Sequence, residues 1–450
     1  MQSLHGVTEG GRTMGRGLAV GGIMLMVALT FPAAAKGANC GQGVSVCRCG
    51  DTVVADITLT SSLRDCPGVG LAVAGGVRLD LGGNEISGRG TAVGIELRGD
   101  GSTITNGMVT GFEIGVGVSA RSPSPVNRTT VEFLTVQRNT DAGIFLTGSF
   151  NTVSDNEAID NGVSPGGLSR AGIFLAGNSN VVARNDSGQN GLFGILVGGR
   201  QNVINERNQV YSNGRGGIGA TGSENLVENN DVGDVDFGNG CLGILVERTR
   251  SADTGPGNTV RGNDVNGNGG RSGFCVVSGP GGIFARGSGH VIVGNNVGDM
   301  HRGNTGIGIG VVGPRALVEA NTVMANTGNG ISIQGGTLDD PNIVRGNFIG
   351  DRGLRGNGGH GLILVDGEGG GTATEEIDSN EVRGNAKSGI VVNGTVYRLR
   401  GNISGGRVNQ ANGECQFLVA DGNLNDGGNR ANGRLIPGLG GQPFPTGCLN

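Results

Sequence analysis

The chain has 450 residues, 96 of them glycine, and a formal net charge of −5. A helical protein cannot carry that much glycine, because each interior Gly costs a helix about 1 kcal/mol relative to Ala. Collagen is excluded by the lack of a Gly-X-Y period, disorder by patterned hydrophobic residues at 36% of the chain, and a nucleic-acid partner by the lack of a basic face.

The first 35 residues read as a secretory signal. Arg12 and Arg16 precede a short apolar run, Leu18 to Phe31, and Ala33 to Ala35 offer a small-residue cleavage site. An uncleaved anchor is the alternative reading, although the run is short for a span of about 20 residues. No stretch after Phe31 is apolar enough to cross a membrane. The expected location is secreted, periplasmic or cell-surface, and the expected state a monomer.

Cys40, Cys47, Cys49, Cys66, Cys241, Cys275, Cys415 and Cys448 follow. An even count in an exported chain points to disulfides, although eight cysteines allow 105 pairings. Their clustering favours local pairs: two within the first four, then Cys241 with Cys275 and Cys415 with Cys448. A metal site in the first cluster is the rival reading, but paired Cys-x-x-Cys knuckles are missing.

A repeat occupies the middle. Its opening glycines are Gly70, Gly94, Gly115, Gly143, Gly172, Gly194, Gly217, Gly243, Gly282, Gly306, Gly330, Gly361 and Gly389. The basic spacing is 21 to 24 residues, lengthened in places by insertions, and a period of this size marks a solenoid. After each Gly, apolar residues alternate with a variable one, as in Ile144 and Leu146 or Ile173 and Leu175, which turns the apolar pair to one face of a strand. A second short strand follows, as in Asn180 to Asn185 or Asn225 to Asn230. The asparagines Asn156, Asn185, Asn230, Asn263, Asn295, Asn321, Asn347, Asn380 and Asn402 recur at one place in the coil. Left-handed turn angles and stacked amide ladders both suit Asn there.

This pattern, from about Gly70 to Val419, resembles the right-handed parallel β-helix of pectate lyases and related secreted proteins. The resemblance implies an all-β solenoid of about 13 coils, roughly 60 Å long at about 4.8 Å per coil. The expected organisation is a signal at 1–35, a cysteine-rich cap at 36–69, the β-helix at 70–414 and a second cap at 415–450. Disulfide-stapled caps would cover the strand edges that a solenoid leaves open.

The residue between the two inward side chains of each coil must point outward. That slot reads Phe145, Phe174, Leu196, Gly219, Leu245, Phe284, Gly308, Ser332, Ile363 and Val391. An outward apolar stripe needs an explanation. Insertions folded over it, stacked sugar rings and a protein partner are the three readings, with Phe145, Phe174, Leu196, Leu245 and Phe284 as candidate ligand-binding residues.

Fragments also resemble the polygalacturonase family: Asn139 to Asp141, the pair Asp339 and Asp340, and Gly359-His360-Gly361. Paired acids on a β-helix would imply glycoside hydrolysis, which makes Asp339, Asp340 and His360 candidate catalytic residues. The Asn-Thr-Asp element lies about eight coils away from the others and cannot share their site, and no convincing Arg-x-Lys element follows. A lyase or epimerase would need Ca²⁺ or Arg to neutralise a uronate; neither cofactor nor metal site is otherwise expected. The leading expectation is therefore a glycan-binding or surface-scaffold protein with no complete catalytic site. The alternative is a polysaccharide lyase, epimerase or glycoside hydrolase.

Overall fold

The computed structural model describes residues 38–41, 46–119, 124–163, 170–233, 238–248, 256–269, 281–336, 340–351, 355–365, 375–394, 397–406, 411–420, 422–438 and 442–450. The expected signal, Cys275 and Asp339 lie outside them. Each coil places three short strands around a corner-rich loop, and up to the C-terminal closure the described strands pair in parallel with their counterparts in the next coil. On the first face Ile144 stands opposite Ile173, which stands opposite Ile195. On the second, Val153 meets Val182, then Ile204. On the third, Ala158 meets Ser187, then Val210.

The period-2 alternation seen in the sequence sets what is buried. Ile144, Leu146, Ile173, Ile195, Val182 and Ile204 are sealed from solvent, and they form continuous aliphatic rows down the axis. Each buried Ile, Val or Leu contributes about 1.5–3 kcal/mol relative to exposure. One coil alone buries too little to fold, so stability comes from stacking.

The opening glycine is a steric requirement. A Cβ on Gly282 would meet the carbonyl oxygen of Gly308 at 2.6 Å and Val297 Cγ1 at 2.5 Å. One on Gly308 would meet the carbonyl oxygen of Gly330 at 2.7 Å. The aligned residue is thus Gly308, two positions beyond the expected Gly306. Either glycine of the run Gly306-Ile307-Gly308 satisfies the sequence pattern, and only the coil-to-coil approach separates them. The outward slot shifts with it, from Gly308 to Gly310, which lies between Phe284 and Ser332.

The asparagines form three ladders rather than one. The expected ladder, between second and third faces, runs from Asn156 through Asn185 and Asn208 to Asn402 and Asn429. Another, between third and first faces, runs from Asn139 and Asn161 through Asn213 and Asn268 to Asn412. The last, between first and second faces, runs from Asn151 through Asn180, Asn202 and Asn225 to Asn258. Asn185 shows the logic of a rung. Its Oδ1 accepts the backbone N–H of Asn156 at 3.0 Å, its Nδ2 donates to the carbonyl of Val153 at 2.9 Å, and its own N–H donates to Asn208 Oδ1 at 2.9 Å. The left-handed angle belongs to the residue before the rung, as at Asp155 (φ 57°), Arg184 (φ 54°) and Asn229 (φ 52°). Bending the chain and tying the coils are thus divided between two neighbouring residues.

The ends close differently. Near the N-terminus Cys40–Cys47 and Cys49–Cys66 staple the first parallel strands. Near the C-terminus all three faces end in antiparallel pairs: Phe417–Val419 with Gly447–Leu449, Leu424–Asn425 with Gln442–Pro443, and Arg430–Ala431 with Arg434–Leu435. Cys415–Cys448 ties this closure, and Phe444 packs its ring 5.5 Å from that of Phe417. Cys241 is also disulfide-bonded.

Gly282→Ala is expected to cost on the order of 1–3 kcal/mol of stability through overpacking, read as a lower thermal or urea midpoint. Gly68→Ala, where a Cβ meets nothing within 4 Å, should leave it unchanged. Circular dichroism melts of the two variants check this, and equal midpoints would contradict the steric account.

Candidate functional site

The first face carries the expected outward stripe. Phe145, Phe174, Leu196, Gly219, Leu245 and Phe284 stand in one row, coil after coil. Phe145 is 8% exposed, and Phe174, Leu196, Leu245 and Phe284 are half-buried. The Phe145 and Phe174 rings stack on each other at 5.0 Å and 10°, so each turns a ring face to its neighbour rather than outward. Phe193 joins the stripe, since a Cβ on Gly219 would touch both Leu196 and Phe193. The Arg215 guanidinium lies 5.9 Å from the Phe193 ring centre. Much of the insertions expected to fold over the stripe, including 120–123, 249–255 and 366–374, lies outside the described residues.

Of the residues expected to act together, Asp339 lies outside the described residues, and Asp340 and His360 occupy different places. Asp340 lies beyond the end of the first-face strand Ile331–Gln334, where it pairs with Arg315 at 3.5 Å. His360 precedes the next first-face strand, Leu362–Val365, at the sheet's other edge. At about 3.3 Å per residue, a strand of this length separates them by roughly 15 Å. His360 donates its backbone N–H to Asn329 Oδ1 at 2.9 Å. Burial lowers its pKa, opposed by Glu414. These contacts bind His360 into the coil-to-coil corner.

The third face holds a groove that the sequence reading did not single out. Its outward row runs Glu157, Asp186, Gln209, Asp231, Asp264, Asn296, each opposite the next. A second outward row contains Gly188, Tyr211 and Gly233. Gly188 leaves room for the Tyr211 ring, since a Cβ there would lie 2.6 Å from it. The tight turn at Asp299, whose Oδ1 accepts the backbone N–H groups of His301 and Arg302 at 2.7 Å, brings Asp299 and Arg302 to the rim. The cleft lined by Asp186, Gln209, Tyr211, Asp231, Asp264, Asn266, Asp299 and Arg302 encloses about 530 Å³. It runs into a second of about 760 Å³ through the shared Gln209, Asp231 and Asp264. From Asp186 to Asn296 the groove crosses four coil spacings, about 19 Å.

Acceptors dominate this groove. Asp186 Oδ1 and Asn266 Oδ1 are shut away from solvent with no hydrogen-bond donor among the described residues, a costly arrangement. Desolvation raises the pKa of Asp186; the Tyr211 hydroxyl opposes the rise and the Glu157 charge adds to it. Asp264 is also raised, first by desolvation and then by Asp299. Asp264 is exposed as a residue, but its carboxylate is turned against Asn266 and Asn296, which donate to it, so its desolvation is partial. Among the described residues no group of three or more His, Cys, Asp or Glu is placed to hold a metal ion.

The second face handles charge in the opposite way. Glu228, Arg261, Val293, Glu319, Arg345, Asp378 and Arg400 follow one another in register. Arg261 meets Glu228 at 2.7 Å and Arg345 meets Glu319 at 2.8 Å. Opposite charges alternate there, whereas Glu157 beside Asp186 and Asp231 beside Asp264 stack like charges.

Parallel three-faced coils with asparagine corners and an outer groove define a right-handed parallel β-helix protein. The chain belongs to the right handed beta helix region family, which it matches over residues 42–205 and 193–372. Among solved structures it is similar in fold to the mannuronan C-5 epimerase A-module of Azotobacter vinelandii, at 16% identity, covering 82% of this chain and 87% of that one with a TM-score of 0.40. It is also similar to an alginate lyase from Paenibacillus sp., at 17% identity over 56% of this chain and 92% of that one, TM-score 0.33. A third is the tailspike protein of E. coli bacteriophage HK620, solved with a pentasaccharide, at 13% identity over 81% and 69%, TM-score 0.35. No functionally curated protein matches the sequence. Among the described residues no helix is long and apolar enough to cross a membrane.

Asp186 gives a test of the groove's electrostatics. A carboxyl whose folded pKa is raised favours the fold fully below the unfolded value of 3.8, and that contribution is lost as pH rises through the folded pKa. Asp186→Asn is therefore expected to raise the melting midpoint at pH 7 and to leave it unchanged near pH 3. Melts at the two pH values check it, and destabilisation at pH 7 would contradict the assignment.

Proposed function

We propose that this is an exported polysaccharide-binding protein whose glycan lies along the third-face groove. The observation that carries the reading is the run of acceptors Asp186, Gln209, Asp231, Asp264 and Asn266 along an open cleft. Sugar hydroxyls supply donors, and bonds to carboxylates are the stronger kind. A groove of this charge favours a neutral or amino-bearing glycan over a polyuronate, whose carboxylates it repels. The long cleft suits a polymer, since one coil rise is close to the length of a sugar unit. Export is supported by the signal-like first 35 residues and by disulfides, which persist in oxidising compartments.

A second reading, glycoside hydrolysis in the same groove, is favoured by Asp186. Desolvation holds this carboxyl toward its protonated form, as a general acid requires, and Asp231 stands two coils along the same row as the potential second carboxylate.

Affinity electrophoresis of residues 36–450 through gels containing neutral, amino-bearing and acidic polysaccharides tests the first reading. Retardation by a neutral or amino-bearing glycan is expected, lost in the double variant Asp231→Asn, Asp264→Asn and kept in Phe145→Ala, Phe174→Ala. The reverse pattern would move the site to the first-face stripe. No retardation by any glycan would leave a surface scaffold with a protein partner. Release of reducing ends from the retarding glycan, abolished by Asp186→Asn, would establish hydrolysis.

A further inference from the structure

Between Asn258 and Asn342 the ladder that joins the first and second faces has two rungs that are not asparagine. After Asn151, Asn180, Asn202, Asn225 and Asn258 comes His290, then Ala316, then Asn342. His290 is fully buried. Its Nδ1 accepts the backbone N–H of Asn258 at 3.2 Å, and its Nε2 lies 2.9 Å from the carbonyl oxygen of Arg286. These partners fix the tautomer: Nδ1 bare, Nε2 carrying the proton. The neutral ring thus copies the acceptor of an Asn rung, but an amide keeps its acceptor at every pH and an imidazole does not.

Among the described residues the carbonyl of Arg286 favours a cation here, but burial outweighs it. Arg248, 7% exposed, lies beside the ring, with its Nη1 held 2.9 Å from Ser288 Oγ. Arg286 turns out to Glu247 at 3.7 Å, and Arg315 to Asp340 at 3.5 Å. Glu224 is taken by Arg200 and faces Arg248 from the coil before. Among the described residues no carboxylate is a hydrogen-bond partner of the imidazole. On the following coil Ala316 has no side-chain acceptor to offer, so this is where the ladder is already thinnest.

We infer that the His290 rung is an acid-sensitive seam, at which the solenoid opens locally before its asparagine-laddered coils do. Protonation at Nδ1 turns the acceptor of the Asn258 N–H into a donor and sets a charge beside Arg248 in a sealed corner. Burial, the largest influence, and Arg248 both lower the His290 pKa in the fold. The sign follows: the unfolded side chain takes up a proton near 6.5, so the stabilisation is complete above that pH and is lost as pH falls below it. The seam is independent of what the third-face groove binds.

Hydrogen exchange read by mass spectrometry on residues 36–450, at pH 7.5 and 5.0 with intrinsic rates corrected, tests the inference. In the wild type, peptides around Asn258 and around His290 to Val293 are expected to lose protection by about fivefold or more at pH 5.0, while those around Asn185 and Asn208 keep theirs. His290→Asn restores an amide rung and should abolish the difference. His290→Ala, with no acceptor at either pH, should lower protection at both. Unchanged protection around Asn258 and His290 in the wild type would overturn the inference, whether or not a variant folds. So would the same pH-dependent loss in His290→Asn.

Discussion

The hydrogen bond that each corner asparagine accepts from the coil before it is the interaction on which the rest of the molecule depends. The strands are only two to eight residues long, and such strands have little stability of their own. Buried side-chain amides at three corners hold successive coils in register where strand pairing stops. They also satisfy the corner backbone groups, which would otherwise be buried without partners. With register fixed from inside, the outward residue of each strand is free to vary. That freedom lets three faces of one repeat take three characters.

The comparison of those faces says where function and stability part. On the second face, ion pairs of alternating sign run from coil to coil. Each exposed pair contributes little, but the ladder penalises a one-coil slip by bringing like charges together. The third face accepts that penalty in its native register, stacking Glu157 on Asp186 and Asp231 on Asp264. A chain under pressure for stability alone would alternate signs on both faces. The first face lies between these cases, with an apolar stripe whose Phe145 and Phe174 satisfy each other by ring stacking.

The coil was legible in the sequence because its period and its inward pairs, such as Ile144 with Leu146, are imposed by burial, which tolerates few residue types. The disulfide Cys415–Cys448 was legible from clustering, as were two pairs among the first four cysteines, but not which of those four join. Two of the three ladders were not traced, because an asparagine at any corner looks alike in sequence and only one spacing was followed. Gly308 was missed because its distinguishing contact, the Gly330 carbonyl, comes from the next coil. The groove was missed because its residues sit 22 to 33 positions apart, singly, and none forms a local motif. A signal was nonetheless present: Glu157, Asp186, Gln209, Asp231, Asp264 and Asn296 are each the residue immediately after a rung asparagine. Reading that one slot down the repeat writes out the groove.

The antiparallel closure at the C-terminal end bears on self-assembly. A parallel solenoid left open at its last coil offers donors and acceptors in the same direction and spacing as its own next turn, and so it templates end-to-end growth into a fibre. Here the last strand of every face has met a partner running the other way, pinned through Cys448, and an arriving parallel edge finds no matching polarity. Reduction of Cys415–Cys448 would loosen that stop. One disulfide would then serve both to close the last coil and to keep rods from joining into filaments.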